Sequence, residues 1–409
     1  MARFLFLTQY FPPEIGAAAV RLDEITRAVC AAGHSVEVVT GMPNYPAGRI
    51  LGAYRGKLIV RERDSGRRII RTWTFASSRG GMTRRLANYA SLTCSSLIGC
   101  FLASRPDYVF VESPPLFLGL TAWMFCRITG SQYIVNVSDP WLEFARDMGF
   151  IRSARLFAAL ERLERFIYKH ALRVNAVTAT IRTLLIETKG VPRERLSWLP
   201  NGVDLDRFRP LAPDPVWKER LELNGHAAFV YAGSHQRSHA LDVLLDAASL
   251  DRDLMVVLVG DGTEKARLIE SAQAHALSNV RFVEPQRIDQ VPRILSVARG
   301  ALVSIRGEES FDSSRPAKMF AAMACGKPII YCGRGEGASI VSANECGVVV
   351  PPGDAQALVN AMRRMAQDPE LAERAGRNGR LLVERTSAWR DIVRNWLADL
   401  EVAAPRRYP

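Results

Sequence analysis

Short apolar runs of strand length alternate with segments of helix length through both halves of the chain. Such runs begin near Arg3 and Ser35 in the first half, and near Phe229 and Leu254 in the second. Strands of this kind, separated by helices, are typical of parallel sheets that are covered by helices on both faces. Because 409 residues exceed what one hydrophobic core usually supports, the pattern predicts two doubly wound α/β domains of similar size.

A turn-rich segment at 196–210, LSWLPNGVDLDRFRP, marks the change of domain. We expect an N-terminal Rossmann-like domain at residues 1–198 and a C-terminal Rossmann-like domain at 199–385. An amphipathic helix within residues 386–409 follows Ser387, and we expect it to pack back toward the N-terminal domain.

Composition narrows the class of protein. The chain is 48% apolar and 23% charged, as globular proteins are, and its net charge is +12. A net positive charge favours binding to a phosphorylated substrate, an anionic membrane or nucleic acid. The sequence contains no module that combines aromatic and basic residues for nucleic-acid binding, so we expect no nucleic-acid partner. The seven cysteines form no CxxC pair, which predicts reduced thiols. The apolar run at 4–7 is too short for a signal peptide, so we expect a cytoplasmic protein.

Three strands of the second half end in Gly- or Ser-rich loops that lead into helices. These loops lie at Gly233, at Gly260 to Gly262 and at 313–316. One such loop means little, but three at one sheet edge predict phosphate binding. In the first half, Gly16 precedes a helix without the GxGxxG pattern, which disfavours a dinucleotide enzyme.

The helix predicted at Pro316–Cys325 begins beside two cations, Arg315 and Lys318. Cations at a helix start oppose the helix dipole, so an anion bound there would explain them. The alternative is a solvated helix end that carries two surface cations.

Asp139 follows the predicted strand Gln132–Val137, where ligands bind in open α/β sheets. It is a candidate site residue or, alternatively, a helix N-cap. Asp204 and Asp206 form a DxD pair, but they lie in the turn between domains, so we expect no metal site.

A segment from Arg79 to Arg105 combines arginines, including Arg84 and Arg85, with an apolar run at 89–103. The run is too short and too rich in serine to span a bilayer. It is either a packed core helix or a patch that rests on an anionic membrane surface.

The chain resembles the family-4 glycosyltransferases of the GT-B fold, in particular the bacterial cell-surface polysaccharide enzymes of the WbuB and WcaI type. The resemblance covers nearly the whole chain, and the motifs are specific only in combination. They are Tyr10–Ala19 with Arg21, Pro43–Pro46, Asp139–Glu143 (with Leu142 where the family has Pro), Leu199–Asp204 with Phe208, Leu258–Gly262 with Glu264 and Lys265, Arg315–Lys318, and Met323–Pro328.

This resemblance implies two Rossmann-like domains that face a central cleft. It implies transfer of a sugar from a nucleotide-sugar, with UDP-sugar as the default, with retention of configuration and without a metal or other cofactor. The implied acceptor is a membrane-linked glycan, usually on polyprenyl diphosphate, in surface polysaccharide, O-antigen or capsule assembly. The implied location is peripheral, on the inner face of the plasma membrane.

Combined with the residue patterns, the resemblance suggests roles for individual side chains. Asp139 and Glu143 are the catalytic candidates, as groups that orient the acceptor hydroxyl. The donor-binding candidates are Gly16, Gly233, Arg237, Gly262, Glu309, Arg315, Lys318 and Glu336.

The sequence departs from the family pattern where the donor is held. Two glutamates expected eight residues apart are replaced by Ser313 and Ala321, and His239–Ala240 stand where Lys–Gly is usual. Neighbouring acids, among them Glu309 and Glu336, are candidates for replacing them. Either the donor is unusual, or the chain is a catalytically degenerate GT-B subunit that acts as a binding or scaffold protein.

Overall fold

The computed structural model describes residues 1–14, 16–45, 48–77, 82–147 and 149–403. It falls into two compact units, one formed by Met1–Pro200 with the segment from Trp389 onward, the other by Asn201–Ala388. The chain changes unit close to the expected boundaries after residues 198 and 385.

The first unit contains an eight-stranded sheet. Its strands are β1 (Arg3–Leu7), β2 (Ser35–Gly41), β3 (Ile59–Asp64), β4 (Arg67–Thr72), β5 (Tyr108–Ser113), β6 (Gln132–Val137), β7 (Arg173–Ala176) and β8 (Leu196–Trp198). Its helices are α1 (Ala17–Ala31), α2 (Met82–Leu102), α3 (Leu118–Thr129), α4 (Trp141–Asp147), α5 (Ala154–His170) and α6 (Ala179–Glu187), with the last helix of the chain, Trp389–Ala403.

The strand order is β3-β4-β2-β1-β5-β6-β7-β8, and every pair is parallel except β3 with β4. The antiparallel pair forms a hairpin. Its turn has positive φ at Ser65 and Gly66, which matches the twist of two-residue hairpins. Central strands such as β5 are buried on both faces, which explains their nearly continuous apolar sequence.

The second unit contains a six-stranded parallel sheet in the order β11-β10-β9-β12-β13-β14. Its strands are β9 (Ala227–Ala232), β10 (Leu254–Val259), β11 (Val280–Val283), β12 (Gly300–Ser304), β13 (Ile329–Cys332) and β14 (Gly347–Val350). Its helices are α7 (Pro215–Arg220), α8 (Asp242–Leu250), α9 (Lys265–Ala274), α10 (Val291–Ser296), α11 (Ala317–Ala324), α12 (Glu336–Ala343), α13 (Ala355–Gln367) and α14 (Pro369–Thr386). The helix Trp389–Ala403 is therefore α15.

Both sheets confirm the predicted doubly wound α/β architecture. The strand order reverses between β1 and β5 in one sheet and between β9 and β12 in the other. In such sheets, ligands bind outside the carboxyl ends of the strands at this reversal. The fold therefore predicts ligand binding at the loops that follow β1, β5, β9 and β12.

Helix α2 is only partly a core helix. Tyr89, Leu92 and Cys100 are buried, whereas Ile98 is 57% exposed and Phe101 is 50% exposed. Arg79 and the side chain of Arg85 lie outside the described residues. Among the described helices, none combines the length and apolar character needed to cross a membrane.

Helix α15 completes the core of the first unit. Trp396 is 1% exposed, and its ring lies beside Phe4 and Phe110, with centroid distances of 6.0 and 5.7 Å. Its indole N–H donates to Oδ1 of Asn175 at 3.1 Å. The helix therefore supplies both apolar contacts and a hydrogen bond that buried Asn175 needs.

Ala240, between the 3-10 turn Arg237–His239 and α8, has φ +45° and ψ +49°. This left-handed conformation is unfavourable for a residue with a Cβ atom, and glycine adopts it readily. The structure thus explains why the family pattern has glycine here, and it shows that alanine imposes local strain.

Replacing Trp396 by Ala should lower the free energy of unfolding by about 3–5 kcal/mol, because a large buried ring leaves a cavity. Urea unfolding followed by circular dichroism would measure the loss. Val402 on the same helix is 85% exposed, so Val402→Ala is the matched control and should change little. Equal effects of the two substitutions would contradict the packing of α15.

Replacing Ala240 by Gly should stabilise the protein by about 1 kcal/mol, because the left-handed strain is removed. Thermal unfolding would detect it as a higher midpoint. Ala266, exposed and helical in α9, serves as the control, since Ala266→Gly should destabilise by about 0.5–1 kcal/mol. A loss of stability in both variants would disprove strain at Ala240.

Candidate functional site

A buried carboxylate, Glu14, joins the two loops that follow β1 and β2. Its Oε1 accepts from the backbone N–H groups of Asn44 and Tyr45 at 2.8 and 2.9 Å, and its Oε2 accepts from Phe11 at 3.2 Å. Burial raises the pKa of Glu14, and these three hydrogen bonds oppose the rise. Both loops carry the motif residues of the sequence analysis, although Ile15 and Pro46 lie outside the described residues. Glu14 therefore fixes the shape of this edge of the sheet.

Gly16 is the N-cap of α1, in an extended conformation. A Cβ atom there would lie 3.3 Å from the ring of Tyr45, which is a tight contact. The first-turn N–H groups of α1 begin at this point. Gly16 thus allows the second loop to approach the helix start.

A second buried carboxylate, Glu112 at the end of β5, holds Arg21 of α1. The Arg21 guanidinium donates to Glu112 Oε1, and the Asn136 side chain donates to Oε2 at 2.9 Å. Glu112 and Arg21 side chains are 2% and 11% exposed. Burial raises the pKa of Glu112, and Arg21 opposes the rise.

Asp139 lies beside this pair but is itself exposed. The helix α4 begins at Trp141, so Asp139 lies two residues before it rather than at the N-cap position. Crowding by protein atoms raises the pKa of Asp139 to about 6; Glu112 adds to the rise and Arg21 opposes it.

Glu143 has a different environment from Asp139. Its Oε1 lies 2.5 Å from Nζ of Lys189, which also contacts Glu164 at 2.7 Å. The Lys189 side chain is 1% exposed, so the pair lies inside the unit. The structure therefore gives Glu143 a structural ion pair, whereas Asp139 is available to a ligand.

In the second unit, Lys318 on α11 lies against an aromatic ring. Its Nζ donates to the Tyr231 hydroxyl at 2.6 Å and lies 4.2 Å from the ring centroid. The Tyr231 O–H donates to the carbonyl of Ser234 at 2.7 Å, and Ser234 Oγ is 3.2 Å from Nε2 of His239. Burial lowers the pKa of Lys318 to about 7. Within the described part of the chain, no carboxylate pairs with Lys318.

Two histidines next to Lys318 are held neutral. Burial lowers the pKa of His235 to about 4, and Lys265 contributes, with Asp261 opposing. Burial also lowers the pKa of His239 well below its usual value, and Lys318 adds to the effect. Both ring nitrogens of His235 are buried without a hydrogen-bond partner among the described residues. The cluster of Lys318, His235 and His239 therefore combines one amine with two neutral imidazole rings.

Gly233 and Gly262 occupy positions that the structure explains without a ligand. The Gly233 N–H donates to the carbonyl of Val259 at 2.9 Å, so this amide is already engaged. A Cβ at Gly233 would lie 2.9 Å from Cε of Lys318, and one at Gly262 would lie 2.3 Å from the carbonyl oxygen of His235. These glycines allow Lys318 and the neighbouring loop to approach closely.

Arg315 and Glu336 face each other across the loops before α11 and α12, 3.6 Å apart and both largely buried. The Arg315 guanidinium also lies 5.2 Å from the ring of Phe320. Burial lowers the pKa of Arg315, and Glu336 opposes this. The backbone N–H of Glu336 donates to the carbonyl of Asp312 at 2.7 Å. The pair links the two strand-end loops that the sequence singled out.

Arg237 and Glu309 are exposed and do not join this group. Arg237 instead lines a cavity of about 460 Å³ whose other charged residues include Asp242, Glu264 and Arg267. Glu309 begins a 3-10 turn, Glu309–Phe311. Neither residue has a described contact that supports its predicted role in binding the donor.

Ser313 and Ala321 are half-buried. Their side chains cannot supply the carboxylates that the family pattern has there. Asp204 accepts from the N–H groups of Asp206 and Arg207, both at 3.0 Å, which is the local turn expected of it. In the described part of the chain, no cluster of three or more metal-ligating residues occurs.

Sequence reasoning missed Glu14, Glu112 and Tyr231. Glu14 stands in the quoted opening motif, and Glu112 ends an apolar strand, so both carried a signal as acids at strand ends. Tyr231 sits in an apolar run, where an aromatic residue is ordinary core. Its role depends on a contact that the local sequence does not encode.

Two family models match the chain. The model described as "Glycosyl transferase 4-like domain" matches residues 16–202, and "Glycosyl transferases group 1" matches residues 215–382. WcaI of Escherichia coli (strain K12), assigned to colanic acid biosynthesis as a glycosyl transferase, is 23% identical over 403 residues. That match covers 95% of this chain and 97% of WcaI.

Solved structures show the same fold. Sucrose-phosphate synthase from Thermosynechococcus elongatus has a TM-score of 0.78 at 20% identity, covering 99% of this chain and 100% of the other. Anabaena HepE, solved with UDP and glucose, has a TM-score of 0.73 at 16% identity, covering 98% and 100%. These two proteins share the two-unit architecture at low sequence identity. With the two family matches and the shared fold, this chain belongs to the family-4 glycosyltransferases of the GT-B fold.

Proposed function

We propose that this glycosyltransferase moves a sugar, with retention of configuration, from a nucleotide-sugar to a membrane-linked glycan. The observation that carries the proposal is the half-buried Lys318 amine, which lies beside Tyr231 without a described carboxylate partner. A cation in this state is poorly stabilised unless an anion joins it. A nucleoside diphosphate is the anion that the family's chemistry would bring to it.

The chemistry needs negative charge to be stabilised on the leaving diphosphate. Lys318 lies in the first turn of α11 and Arg315 directly precedes its N-cap, Pro316, close to the first backbone N–H groups, which have no partner within the helix. Cations in a partly desolvated site act strongly on charge that develops in the transition state. These two side chains therefore provide the charge stabilisation without requiring a metal ion.

In the first unit, the surface around Asp139 is the proposed binding place for the acceptor, and its charges suit a sugar hydroxyl group. Arg21, Glu112 and Asp139 contribute one positive and two negative side chains, so this surface does not favour a second phosphate. Asp139 is exposed, and its raised pKa suits a group that accepts a proton or a hydrogen bond near neutral pH. Asp139 is our candidate for orienting the acceptor hydroxyl, and Glu143 supports α4 through Lys189.

An anionic membrane surface is the proposed location. Helices α2 and α3 pack together, and they expose Ile98, Phe101, Met124 and Ile128. Exposed arginines, Arg105 and Arg127, adjoin the ends of these helices. Apolar side chains that dip into the interface and cations that meet anionic headgroups together favour peripheral binding. A lipid-linked acceptor would then be reached from the membrane.

The relatives support the substrate class. WcaI is assigned to colanic acid biosynthesis, and HepE was solved with UDP and glucose. We therefore propose a role in surface polysaccharide, O-antigen or capsule assembly, with a UDP-sugar as the first donor to test.

A second candidate function rests on Ser313 and Ala321. Without the two glutamates, the chain would be a GT-B subunit that binds a partner in such an assembly and transfers no sugar. An enzyme must bind a nucleoside diphosphate with selectivity, and a scaffold need not. Nucleotide binding therefore separates the two candidates.

The first experiment is calorimetric titration with UDP, GDP, ADP and dTDP at moderate salt, because a basic protein binds any anion without selectivity at low ionic strength. Selective binding of one nucleotide would support the proposed glycosyltransferase function. Replacing Lys318 by Met should then weaken binding by about ten-fold or more, since charge-assisted hydrogen bonds contribute about 1.5–3 kcal/mol. The same substitution at exposed Lys218 removes an equal charge and should leave binding unchanged.

Thermal unfolding without nucleotide provides the folding control for Lys318→Met. Methionine carries no charge to desolvate, so the variant should unfold at the same or a higher temperature than the native protein. Unchanged nucleotide affinity in a folded Lys318→Met variant would overturn the donor-site assignment. Equal binding of all four nucleotides would favour the second candidate function, a scaffold subunit that transfers no sugar.

Replacing Ile98 and Phe101 by Ser, or Arg105 and Arg127 by Ser, should lower partitioning onto phosphatidylglycerol vesicles by about thirty-fold, because each double variant loses two contacts of about 1 kcal/mol each. Vesicle sedimentation measures this. Leu381, 55% exposed in the second unit, gives the control Leu381→Ser. Vesicle binding that persists in both double variants would exclude this surface.

A further inference from the structure

Helix α5 carries a row of cations on its outward side. Arg155, Arg162 and Lys169 are exposed and lie seven residues apart. Because seven residues make almost two full turns of an α-helix, the three side chains lie on one stripe, spaced by about 10 Å. The buried residues Ile167 and Tyr168 mark the inward side of the helix, and the row lies opposite to them.

The acids of α5 are turned away from this row. Glu164 contacts Nζ of buried Lys189 at 2.7 Å, and Glu161 lies 3.8 Å from the same amine. Within the described part of the chain, the ion pairs of α5 involve these two acids and Arg165, and none involves the three cations of the row. Helix α14 differs, since its exposed residues include both acids and arginines, as is usual for a solvated helix. The row on α5 therefore leaves an unbalanced positive charge at the surface.

The stability of the helix does not explain the whole row. Arg155 is the second residue of α5, and the first turn contains no acid. A cation at this place opposes the positive end of the helix dipole, whereas Lys169 in the last turn is favoured by it. An external partner of negative charge accounts for all three cations together.

The row belongs to a broad face that three helices build on one side of the sheet in the first unit. Leu92 of α2, Leu118 of α3 and Ile167 of α5 lie in one buried cluster, whereas α1 and α15 pack in another. Trp123 of α3 contacts Phe166 of α5, with ring centroids 5.1 Å apart. The cations of α5 therefore adjoin the exposed apolar side chains of α2 and α3.

We propose that this face rests on an anionic lipid surface, and that the row on α5 is an electrostatic contact separate from the apolar contacts of α2 and α3. The inference rests on the proposed membrane location and adds α5 to it. Helices α2 and α3 contain no acidic residue, and the two acids of α5 face Lys189. These three helices therefore expose no acid that would repel anionic headgroups.

This placement brings the lipid surface close to the acceptor. The chain passes from Asp139 into α4, and Leu142 of α4 lies in the same buried cluster as α2, α3 and α5. Asp139 therefore lies where the carboxyl edge of the sheet meets the helices that face the membrane. A glycan linked to a lipid reaches Asp139 while its lipid stays in the membrane.

Sedimentation with phosphatidylglycerol vesicles tests the row. A triple variant, Arg155→Gln, Arg162→Gln and Lys169→Gln, should partition about a hundred-fold more weakly, because each cation near an anionic surface contributes about five-fold. The three side chains are exposed, so this variant should unfold at the native temperature. On phosphatidylcholine vesicles, which carry no net charge, the native protein and the variant should bind equally weakly. A loss of equal size on both lipids would overturn the inference.

A triple variant of α14 is the matched control. Arg374, Arg377 and Arg385 are exposed on this helix of the second unit, and their replacement by Gln lowers the net charge by the same amount. The control should bind phosphatidylglycerol vesicles as the native protein does. Equal losses in the two triple variants would show an effect of net charge alone, and the role of α5 would be wrong.

A charge-preserving variant, Arg155→Lys with Arg162→Lys, distinguishes a lipid surface from a partner protein. A lipid surface responds to charge, so this variant should bind vesicles as the native protein does. Guanidinium groups that are paired with carboxylates in a fixed geometry cannot be replaced in this way. Loss of vesicle binding in the charge-preserving variant would therefore contradict the lipid assignment.

Salt separates this inference from the proposed function. At 1 M salt the Debye length falls to about 3 Å, so the triple variant of α5 and the native protein should bind alike, whereas the Ile98 and Phe101 variant should still bind less. If the native protein binds no phosphatidylglycerol vesicles at 0.1 M salt, the membrane location and this inference both fail. If it binds them and the triple variant of α5 binds equally, the location stands and the role of α5 is overturned.

Discussion

The pairing of parallel strands is the constraint on which the rest of the molecule depends. A parallel strand can pair with its neighbour only after a crossover, and helices supply these crossovers on both faces of each sheet. The loops that follow the parallel strands of a sheet therefore reach the same edge of that sheet. Residues far apart in sequence, such as Tyr231 and Lys318, meet there although 87 positions separate them.

Much of the fold follows from local patterns. The bounds of β6 agree with the predicted strand Gln132–Val137, and α11 begins and ends within one residue of the predicted helix. Buried strands in a parallel sheet have few polar residues, so their sequence signal is strong. The chemistry of the site was harder to predict. Glu143 pairs with Lys189, and the Gly233 amide pairs with Val259, because of contacts between segments that no local pattern specifies.

The two units differ in how they balance buried charge. In the first unit, Glu14 is satisfied by backbone N–H groups, and Glu112 by Arg21 and Asn136. In the second unit, the cluster around Lys318 has no described carboxylate to balance it. A satisfied network holds a fixed geometry, whereas an unbalanced cation favours the arrival of an anion. This contrast supports the proposal that the second unit binds the diphosphate.

The return of α15 to the first unit has a consequence for the order of synthesis. Phe4, Phe6 and Phe110 belong to the same buried cluster as Trp396, which follows the whole second unit in the chain. The first unit can therefore be completed only after the second unit has been synthesised. Until the second unit has been made, the aromatic face that awaits α15 stays open to other nascent or unfolded chains, and any protein truncated before Trp389 would retain that exposed face permanently.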